Sequence, residues 1–292
     1  MAADAPDPEM LIRALPIWTG AVEIEPLHGG ITNKNYLAKE KGRRFVVRFG
    51  EDIPAHGIMR FNELAAARAG AAAGISPEVI YAASPFLVME FIDGRTYGPE
   101  DIRQNLLRCV ALVKRAHRDM PDHLRGPTLS FNVFHVIRDY ARTLAEEGGR
   151  KTRDLPQFLE RAKKLERAVG PIDLVFGHND LLAANFIDDG QRLWLVDWDY
   201  AGWNTPLFDL GGLSSNNGFD AGDDETMLGH YFEAAPTDEL RRHFRAMRCA
   251  SLLRESLWSM VSEIKSTIDF DYVSYTEENL RRFEAAYGEM EA

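Results

Sequence analysis

The sequence predicts an α+β fold in which a small, antiparallel, strand-rich N-terminal lobe precedes a larger and mainly helical C-terminal lobe. Runs that alternate or are rich in β-branched residues are concentrated before residue 92. Apolar residues at helical spacing dominate after residue 100. The turn-rich segment "DGRTYG" separates these regions, so we place the N-lobe at residues 1–92 and the C-lobe at residues 93–292. Ligand sites tend to lie between such lobes.

The N-lobe is predicted to contain five strands and one helix. Three successive strands are expected at "AVEIEPL", "NKNYLAKE" and "RRFVVRF", with short connections that favour an antiparallel meander. A helix over "GIMRFNELAAARAGAAAG" is predicted to stop at Gly74, with Pro77 beyond it. Two further strands, "PEVIYAA" and "PFLVMEFI", complete the lobe.

The C-lobe is predicted to be helical, with a few short strands in its middle. Apolar spacing with charge on the opposite face predicts helices over residues 100–119, 132–147 and 155–169. Short strands are expected at "DLVFG", "NFIDD" and "RLWLVDW". Helical patterns return from residue 224, in "ETMLGHYFEAA", "DELRRHFRAMRCASLLRESLWSMVSEIKS" and "YTEENLRRFEAAYGEM".

Composition and charge narrow the class of function. The net charge of −11 argues against a nucleic-acid partner, because phosphate backbones require a basic face. It is compatible with a small cationic substrate, and equally with plain solubility. The chain has neither an apolar run of about 18 residues nor a secretory signal in "MAADAPDPEM", and its two cysteines are too few for a disulfide framework. We therefore expect a cytoplasmic protein that does not insert into membranes.

A polar cluster surrounds two apolar runs in "HNDLLAANFIDDGQRLWLVDWDYAG". His178, Asp180 and Asn185 form H-x-D-x-x-x-x-N, and Asp197 ends the strand that follows. Phosphoryl transfer requires a carboxylate that accepts the hydroxyl proton and oxygen ligands for Mg²⁺, and protein kinases use Asp and Asn at this spacing. Asp and Asn are also common loop caps. Both motifs together favour the catalytic interpretation, because carboxylates near buried strands need a compensating cation.

A glycine pair in "LHGGITNKNY" lies between the first two predicted strands. Gly29 and Gly30 allow backbone N–H groups to approach a phosphate closely, and Thr32 and Asn33 can donate side-chain hydrogen bonds. Neither G-x-G-x-x-G nor G-K-[ST] is present, so the Rossmann and Walker motifs are excluded. A plain hairpin turn is the alternative.

Arg48 stands near the end of the third predicted strand, where a basic residue would contact nucleotide phosphates. Glu63 in the following helix is placed to pair with it. Lys34 and Lys39 are rival candidates, and a surface ion pair is the alternative for Arg48 and Glu63.

Four aromatic residues accompany the polar cluster: Trp198, Tyr200, Trp203 and Trp258. Taken individually, each is typical of a core. Taken together, they would form a box for an ammonium group. Asp209 in "PLFDLGG" is predicted to cap or brace the catalytic loop.

The full set of motifs resembles the choline/ethanolamine kinase family, within the aminoglycoside-phosphotransferase-like group of small-molecule kinases. The resemblance rests on "GGITNKNY", "FVVRFG", "FLVMEFIDG", "HNDLLAANF", "LVDWDYAGWNTPLFDLGG", "LWSMVSEIKS" and "FDYVSYTEENLRRF", which cover about residues 27–287. The "HND" triplet with "DWDYAG" and the late "LW" is more similar to choline kinases than to antibiotic kinases. A protein-kinase-like bilobal fold is implied, with a nucleotide-binding N-lobe and a catalytic loop and substrate pocket in the C-lobe.

The resemblance also implies roles for individual residues. Asp180 is the expected catalytic base, and Asn185 and Asp197 are the expected Mg²⁺ ligands. The expected ATP-binding residues are Gly29, Gly30, Thr32, Asn33, Arg48, Glu63, Glu90, Phe91 and Ile92. Among them, Glu63 braces Arg48 and the backbone of residues 90–92 receives adenine. The expected acceptor-binding residues are Asp199, Trp198, Tyr200, Trp203 and Trp258.

The implied activity is ATP- and Mg²⁺-dependent phosphorylation of the hydroxyl group of a small amino alcohol, with choline as the expected acceptor. Ethanolamine, aminoglycoside and thiamine kinases are alternatives within the enzyme class. A non-catalytic, pseudokinase-like nucleotide-binding module is the alternative outside it. The presence of Asp180, Asn185 and Asp197 argues against that module, since loss of one of them is its expected signature.

Overall fold

The computed structural model describes residues 7–27 and 33–291 as one chain with ten α-helices, four short 3₁₀ helices and ten strands in those ranges. The helices are α1 (Pro8–Arg13), α2 (Arg60–Ala72), α3 (Pro99–Gln104), α4 (Leu106–Asp119), α5 (Val133–Glu147), α6 (Leu155–Val169), α7 (Pro206–Asn217), α8 (Ala221–Phe232), α9 (Asp238–Lys265) and α10 (Tyr272–Glu291). The strands are β1 (Glu23–Leu27), β2 (Lys34–Glu40), β3 (Arg43–Phe49), β4 (Val79–Ala83), β5 (Phe86–Glu90), β6 (Arg95–Thr96), β7 (Val175–Gly177), β8 (Phe186–Asp188), β9 (Leu193–Leu195) and β10 (Gly202–Asn204).

The five N-lobe strands form one antiparallel sheet in the order β1-β2-β3-β5-β4. The predicted α+β class is confirmed, because mainly helical structure follows this sheet. The meander of β1 to β3 pairs in continuous register, so alternate side chains of β3 point to one buried face. Phe45 and Val47 occupy that face.

Helix α1 covers the N-lobe sheet and escaped the sequence analysis because it is only six residues long. Its first turn is stabilised by Asp7, whose side chain accepts a hydrogen bond from the Glu9 amide at 3.1 Å, and by Pro8. The helix buries Ile12 completely against the same apolar cluster as Val47.

Helix α2 ends two residues before Gly74, close to the predicted stop. Gly74 has a φ of 66°, a conformation that glycine adopts without steric cost, and the chain then turns toward the C-lobe. Immediately beyond it, the Ile75 carbonyl accepts a hydrogen bond from the Leu195 amide at 3.0 Å. Ser76 donates to the Leu195 carbonyl at 2.7 Å, so the end of α2 is tied to a C-lobe strand.

The C-lobe is built around α9, a 28-residue helix that is buried along most of its length. The helix predicted over residues 100–119 is two helices, α3 and α4, because Asn105 leaves the helical conformation at φ −114° and bonds back to the Asp101 carbonyl. Helix α7 was not predicted, since it is buried on nearly all sides and shows no amphipathic pattern. No helix within the described ranges is long and apolar enough to cross a bilayer.

Short strands in the C-lobe flank the loops that carry His178 to Asp199. Strands β8 and β9 form a hairpin in which Phe186 pairs with Leu195, and β6 joins its edge. Strand β7 pairs with β10. Strands β6 and β10 are two and three residues long, too short to be read from alternation.

Candidate active site

The loop after β7 carries the H-x-D motif and is shaped by Asn179. Asn179 has a φ of 64° and donates its side-chain amide to the Tyr200 carbonyl at 2.9 Å and to the Gly202 carbonyl at 3.2 Å. Asn tolerates this left-handed conformation better than most residues. The bonds lock the loop to the segment that follows Asp197.

Asp209 braces this loop from below, in agreement with the sequence analysis. Its carboxylate oxygens accept hydrogen bonds from the His178 amide at 2.7 Å and the Asn179 amide at 2.6 Å. His117 on α4 contacts the same carboxylate at 2.8 Å. Burial alone would raise the pKa of Asp209. The hydrogen bond and charge of His117, together with the nearby His178, outweigh this effect, so the pKa is lowered.

We expect Asp209→Asn to destabilise the fold by about 3 kcal/mol at pH 7, because the buried N–H donors lose a charged acceptor. Since the folded state lowers the pKa of Asp209, its carboxylate stabilises the fold above the ordinary carboxyl pKa of about 3.9. This contribution is lost as the pH falls through the lower, folded pKa. The difference in unfolding free energy should therefore stay constant from pH 7 down to about pH 5 and shrink as the pH falls below about 4, as measured by urea unfolding. Asp173→Asn, in an exposed loop, is the matched control.

Asp180 lies at the end of this braced loop and is half-buried. Burial raises the pKa of its carboxyl group well above the ordinary value; Arg254 opposes the rise, and Glu255, Asp197 and Asp199 add to it. A carboxylate with a raised pKa accepts a proton more readily than an ordinary surface aspartate. The position and the electrostatics therefore suit a general base.

Asn185 and Asp197 are brought together by the β8–β9 hairpin. They flank its two ends, and the Val196 amide donates to the Asn185 carbonyl at 3.0 Å. The side-chain amide nitrogen of Asn185 donates to the Asp180 carbonyl at 2.9 Å, which leaves its oxygen available. The predicted Mg²⁺ ligands are therefore neighbours although eleven positions separate them in the chain.

The donor set at this point fits Mg²⁺. Oδ1 of Asp197 is buried and has no hydrogen-bond partner in the ranges that the structure describes, although Arg48 Nη2 lies 3.0 Å from it. Within the same ranges no group of three or more His, Cys, Asp or Glu side chains could hold a metal. Mg²⁺ usually takes one or two carboxylates and completes its octahedron with substrate phosphates and water, so one carboxylate with an amide oxygen suffices.

Arg48 lies at the centre of a buried ionic network, and its predicted pairing with Glu63 is present. Its guanidinium contacts Glu63 at 2.5 Å, Asp199 at 2.7 Å and Asp197 at 3.0 Å. Burial alone would lower the pKa of Arg48, but these carboxylates, Asp197 first, raise it well above the ordinary value. Arg48 is therefore a fixed cation beside the candidate metal ligands.

The network continues through Arg60, which the sequence analysis did not single out. Arg60 donates to Glu63 at 2.7 Å, to Asp199 at 2.9 Å and to the Asn33 side chain at 2.7 Å. Asn33 in turn donates to Asp199 at 2.7 Å. The i, i+3 spacing of Arg60 and Glu63 at the start of α2 was the available signal.

Asp199 contacts the N-lobe and also lines a cavity of about 190 Å³ beside Tyr200, so its role toward the acceptor stays a prediction. The sequence analysis assigned it to the acceptor, whereas both of its oxygens are engaged by Arg48, Arg60 and Asn33. Its side chain ties the N-lobe to the segment after Asp197. Asp199 acts here as a link between the lobes.

The predicted adenine-binding segment borders a cavity of about 320 Å³ between residues 90–93 and the tip of the β8–β9 hairpin. The Glu90 and Phe91 amides donate to the backbone carbonyls of Glu78 and Arg44. The Ile92 amide has no backbone hydrogen-bond partner within residues 7–27 and 33–291, so it is available to a base. The predicted phosphate contacts Gly29, Gly30 and Thr32 lie outside the described residues.

The four predicted aromatics do not form a single box. Trp258 donates its indole N–H to the Tyr200 hydroxyl at 2.7 Å, so these two are joined. Trp198 instead donates to Ser76 at 2.8 Å and packs against His178. Trp203 donates to Thr128 and packs against Phe176. The core interpretation holds for Trp198. Both residues point to other partners because the chain turns between Trp198 and Ala201, where the Ala201 amide donates to the Trp198 carbonyl at 3.1 Å.

A second polar group lies on α9 and α10 in the C-lobe, and the sequence analysis missed it. Glu255 on α9 accepts hydrogen bonds from Arg254 and from the Tyr275 hydroxyl, each at 2.8 Å. The charge of Arg254 opposes the rise in the pKa of Asp180, and the charge of Glu255 adds to it. The available signal was the Arg-Glu pair in the otherwise apolar run "LLRESLW".

Known proteins of related sequence share the fold described above. Residues 23–246 match the family described as "Phosphotransferase enzyme family". A probable ethanolamine kinase of Arabidopsis thaliana is 26% identical over 285 residues, which cover 86% of this chain and 76% of the relative. The crystal structure of a choline/ethanolamine kinase family protein from Mesorhizobium loti is 28% identical with a TM-score of 0.78, over 95% of this chain and 92% of that one. The crystal structure of choline kinase LicA from Streptococcus pneumoniae is 25% identical with a TM-score of 0.75, over 91% and 93%.

Proposed function

Because this chain belongs to the phosphotransferase enzyme family, we propose that it transfers the γ-phosphoryl group of ATP, with Mg²⁺, to the hydroxyl group of a small amino alcohol. The observation that carries the proposal is the arrangement of Asp180 beside the paired ends of the β8–β9 hairpin, with Arg48 3.0 Å from Asp197. A proton acceptor, a metal-ligand pair and a fixed cation are thus linked by direct contacts. These are the parts that phosphoryl transfer requires.

In this reaction Asn185 and Asp197 would hold Mg²⁺, which neutralises phosphate charge when it is bound. Arg48 supplies a second, permanent positive charge whose position is fixed by Glu63 and Asp199. Asp180 orients the acceptor hydroxyl and accepts its proton. Little reorganisation is needed, because these groups are already held by hydrogen bonds and ion pairs.

The nature of the acceptor is supported from two sides. The relatives above are named ethanolamine and choline kinases, and both substrates are small amino alcohols. The ring of Trp258, with Tyr272 and Tyr275 at centroid distances of 6.0 and 6.2 Å, favours the trimethylammonium group of choline. The carboxylate of Glu255 favours the primary ammonium of ethanolamine, which donates N–H hydrogen bonds.

We further propose that the enzyme works in the cytoplasm, where ATP is abundant and thiols stay reduced. Cys109 and Cys249 are buried free thiols, which is consistent with that setting. The net charge of −11 supports a cationic substrate and gives no basic face for nucleic acid.

The test is acceptor-dependent ADP release from Mg·ATP with choline, ethanolamine, an aminoglycoside and thiamine, against a reaction without acceptor. We expect turnover with at least one of the two amino alcohols at a kcat of about 1 to 100 s⁻¹, the usual range for kinases. Turnover with the aminoglycoside or thiamine alone would show that the chain is a kinase for that acceptor and not for an amino alcohol. Tight ATP binding without release of ADP for any acceptor would support the non-catalytic nucleotide-binding module instead.

A further inference from the structure

Arg254 on α9 is a buried cation whose hydrogen-bonding capacity is only partly used. Its side chain is 3% exposed and lies over the Tyr200 ring at 4.5 Å. Nη1 donates to Glu255 at 2.8 Å. Nε and Nη2 are buried and have no hydrogen-bond partner within residues 7–27 and 33–291. Leaving two donors of a buried guanidinium unpaired is costly, so a ligand or water is expected to occupy that edge.

Nε and Nη2 form the edge through which a guanidinium binds both oxygens of a carboxylate in a bidentate pair. Elsewhere in this chain the same Nε/Nη2 edge of Arg150 holds both oxygens of Glu263, at 2.8 and 3.0 Å. The edge of Arg241 holds Glu225 in the same way, at 2.6 and 2.9 Å. Such planar pairs are among the strongest hydrogen-bonded contacts in proteins. In Arg254 this edge has no such partner among the described residues.

Other buried polar atoms without a partner among the described residues lie in the same region of the C-lobe, next to the Tyr200 ring on which Arg254 stacks. The Tyr140 hydroxyl and Nδ1 of His56 are buried and lack hydrogen-bond partners in the described part of the chain. Burial raises the pKa values of both Tyr140 and Asp180, and the charge of Arg254 opposes the rise in each. A cavity of about 190 Å³ is lined by His56, Tyr140 and Tyr200, among others. Its size suits a small molecule.

We propose that the acceptor carries a carboxylate in addition to its amine and hydroxyl groups, and that the Nε/Nη2 edge of Arg254 binds this carboxylate with the Tyr140 hydroxyl. The chemical class is a small hydroxy-amino acid, of which serine is the simplest test compound. Glu255, fixed beside Arg254, then faces the ammonium group. The inference rests on the proposed function, since it assigns the acceptor of that same site.

The reaction is the same transfer with a different acceptor. The serine hydroxyl oxygen forms a bond to the γ-phosphorus of ATP, and the bond from that phosphorus to the β–γ bridging oxygen breaks. The hydroxyl proton passes to Asp180, and the bonding pair leaves with ADP. No oxidant, reductant or further reactant is required.

The experiment compares L-serine with ethanolamine, which differs from it only by the carboxylate. We expect kcat/KM for L-serine to exceed that for ethanolamine by about 10- to 100-fold, the scale for a buried polar site that loses its partner. Release of ADP is measured with purified protein, and ³¹P NMR identifies the phosphorylated product. Choline is included as an acceptor that has neither N–H donors nor a carboxylate.

Substitution of Arg254 supplies the second arm. R254M removes the edge at similar volume and should lower kcat/KM for L-serine at least tenfold relative to ethanolamine, so that the preference disappears. R254K retains the charge without the two-pronged edge and should give an intermediate ratio. R150M removes an exposed arginine that also forms an ion pair with a glutamate, Glu263. It should leave the ratio of kcat/KM for L-serine to kcat/KM for ethanolamine unchanged.

The outcomes separate the two proposals. Turnover of ethanolamine or choline without turnover of L-serine overturns the carboxylate inference and leaves the proposed function intact. No turnover with any of the three rejects both. An equal loss of kcat on every acceptor in R254M would mean that Arg254 only positions Asp180, and it overturns the inference. If R254M does not fold, the wild-type ratio of L-serine to ethanolamine decides the question alone.

Discussion

We expect Asp180→Asn to lower kcat by about two to four orders of magnitude, the scale for loss of a general base. The substitution keeps the shape of the side chain and removes its ability to accept a proton. The backbone carbonyl that receives the Asn185 amide at 2.9 Å is unaffected, so the metal-ligand pair should remain in place. Affinity for Mg·ATP should therefore stay within about threefold of wild type, by the tenfold change per 1.4 kcal/mol.

Rapid-quench or coupled ADP assays measure the first quantity, and isothermal calorimetry with a non-hydrolysable nucleotide measures the second. Asp173→Asn, on an exposed loop, controls for the general effect of removing a carboxylate. A variant Asp180→Asn that binds Mg·ATP normally and turns over at a near wild-type rate would show that another group receives the proton.

Asp197→Ala should abolish most nucleotide binding, because Asp197 is the single carboxylate of the proposed Mg²⁺ site. We expect the Mg²⁺ concentration for half-maximal activity to rise at least tenfold and kcat/KM for ATP to fall by about three orders of magnitude. Arg48 also loses one ion-pair partner, which lies 3.0 Å away, but Glu63 and Asp199 still hold it. The effect should therefore fall on metal dependence more than on stability.

The matched control is Asp199→Asn, two positions further along the chain. Asp199 links Arg48, Arg60 and Asn33, so its substitution should lower Tm while it leaves the Mg²⁺ dependence within about twofold. Titration of Mg²⁺ at fixed ATP, beside thermal unfolding, separates the two variants. If Asp197→Ala kept wild-type Mg²⁺ dependence, the metal would have to be held elsewhere.

The segment from His178 to Asp199 shows why local patterns were informative. The H-x-D-x-x-x-x-N motif, the hairpin and the second aspartate all lie within 22 consecutive residues, so their mutual placement follows from chain connectivity and β pairing. The contact between Asp209 and this loop could also be predicted from the sequence, because α7, which contains Asp209, follows the segment directly. Helices α5 and α6 agree with prediction almost to the residue, because amphipathic spacing is a local property.

The acceptor side was predicted less well. The proposed box of four aromatics required their side chains to converge, but Trp198 and Trp203 contact Ser76 and Thr128 instead. Side-chain direction along an irregular segment depends on backbone turns such as the positive φ of Asp197, which composition does not reveal. Aromatic content alone was therefore a weak guide to the pocket.

By itself, the sequence determined the fold class, the order of the main elements and the catalytic motif, because each depends on residues that are neighbours along the chain. Only the tertiary structure decided that Asp199 joins Arg60 and Asn33, which lie 139 and 166 positions away from it. It also decided that the Nε/Nη2 edge of Arg254 finds no partner within residues 7–27 and 33–291. Such contacts depend on how distant helices and strands pack, and a hydrogen bond is gained or lost over less than 1 Å, a precision that no local pattern carries.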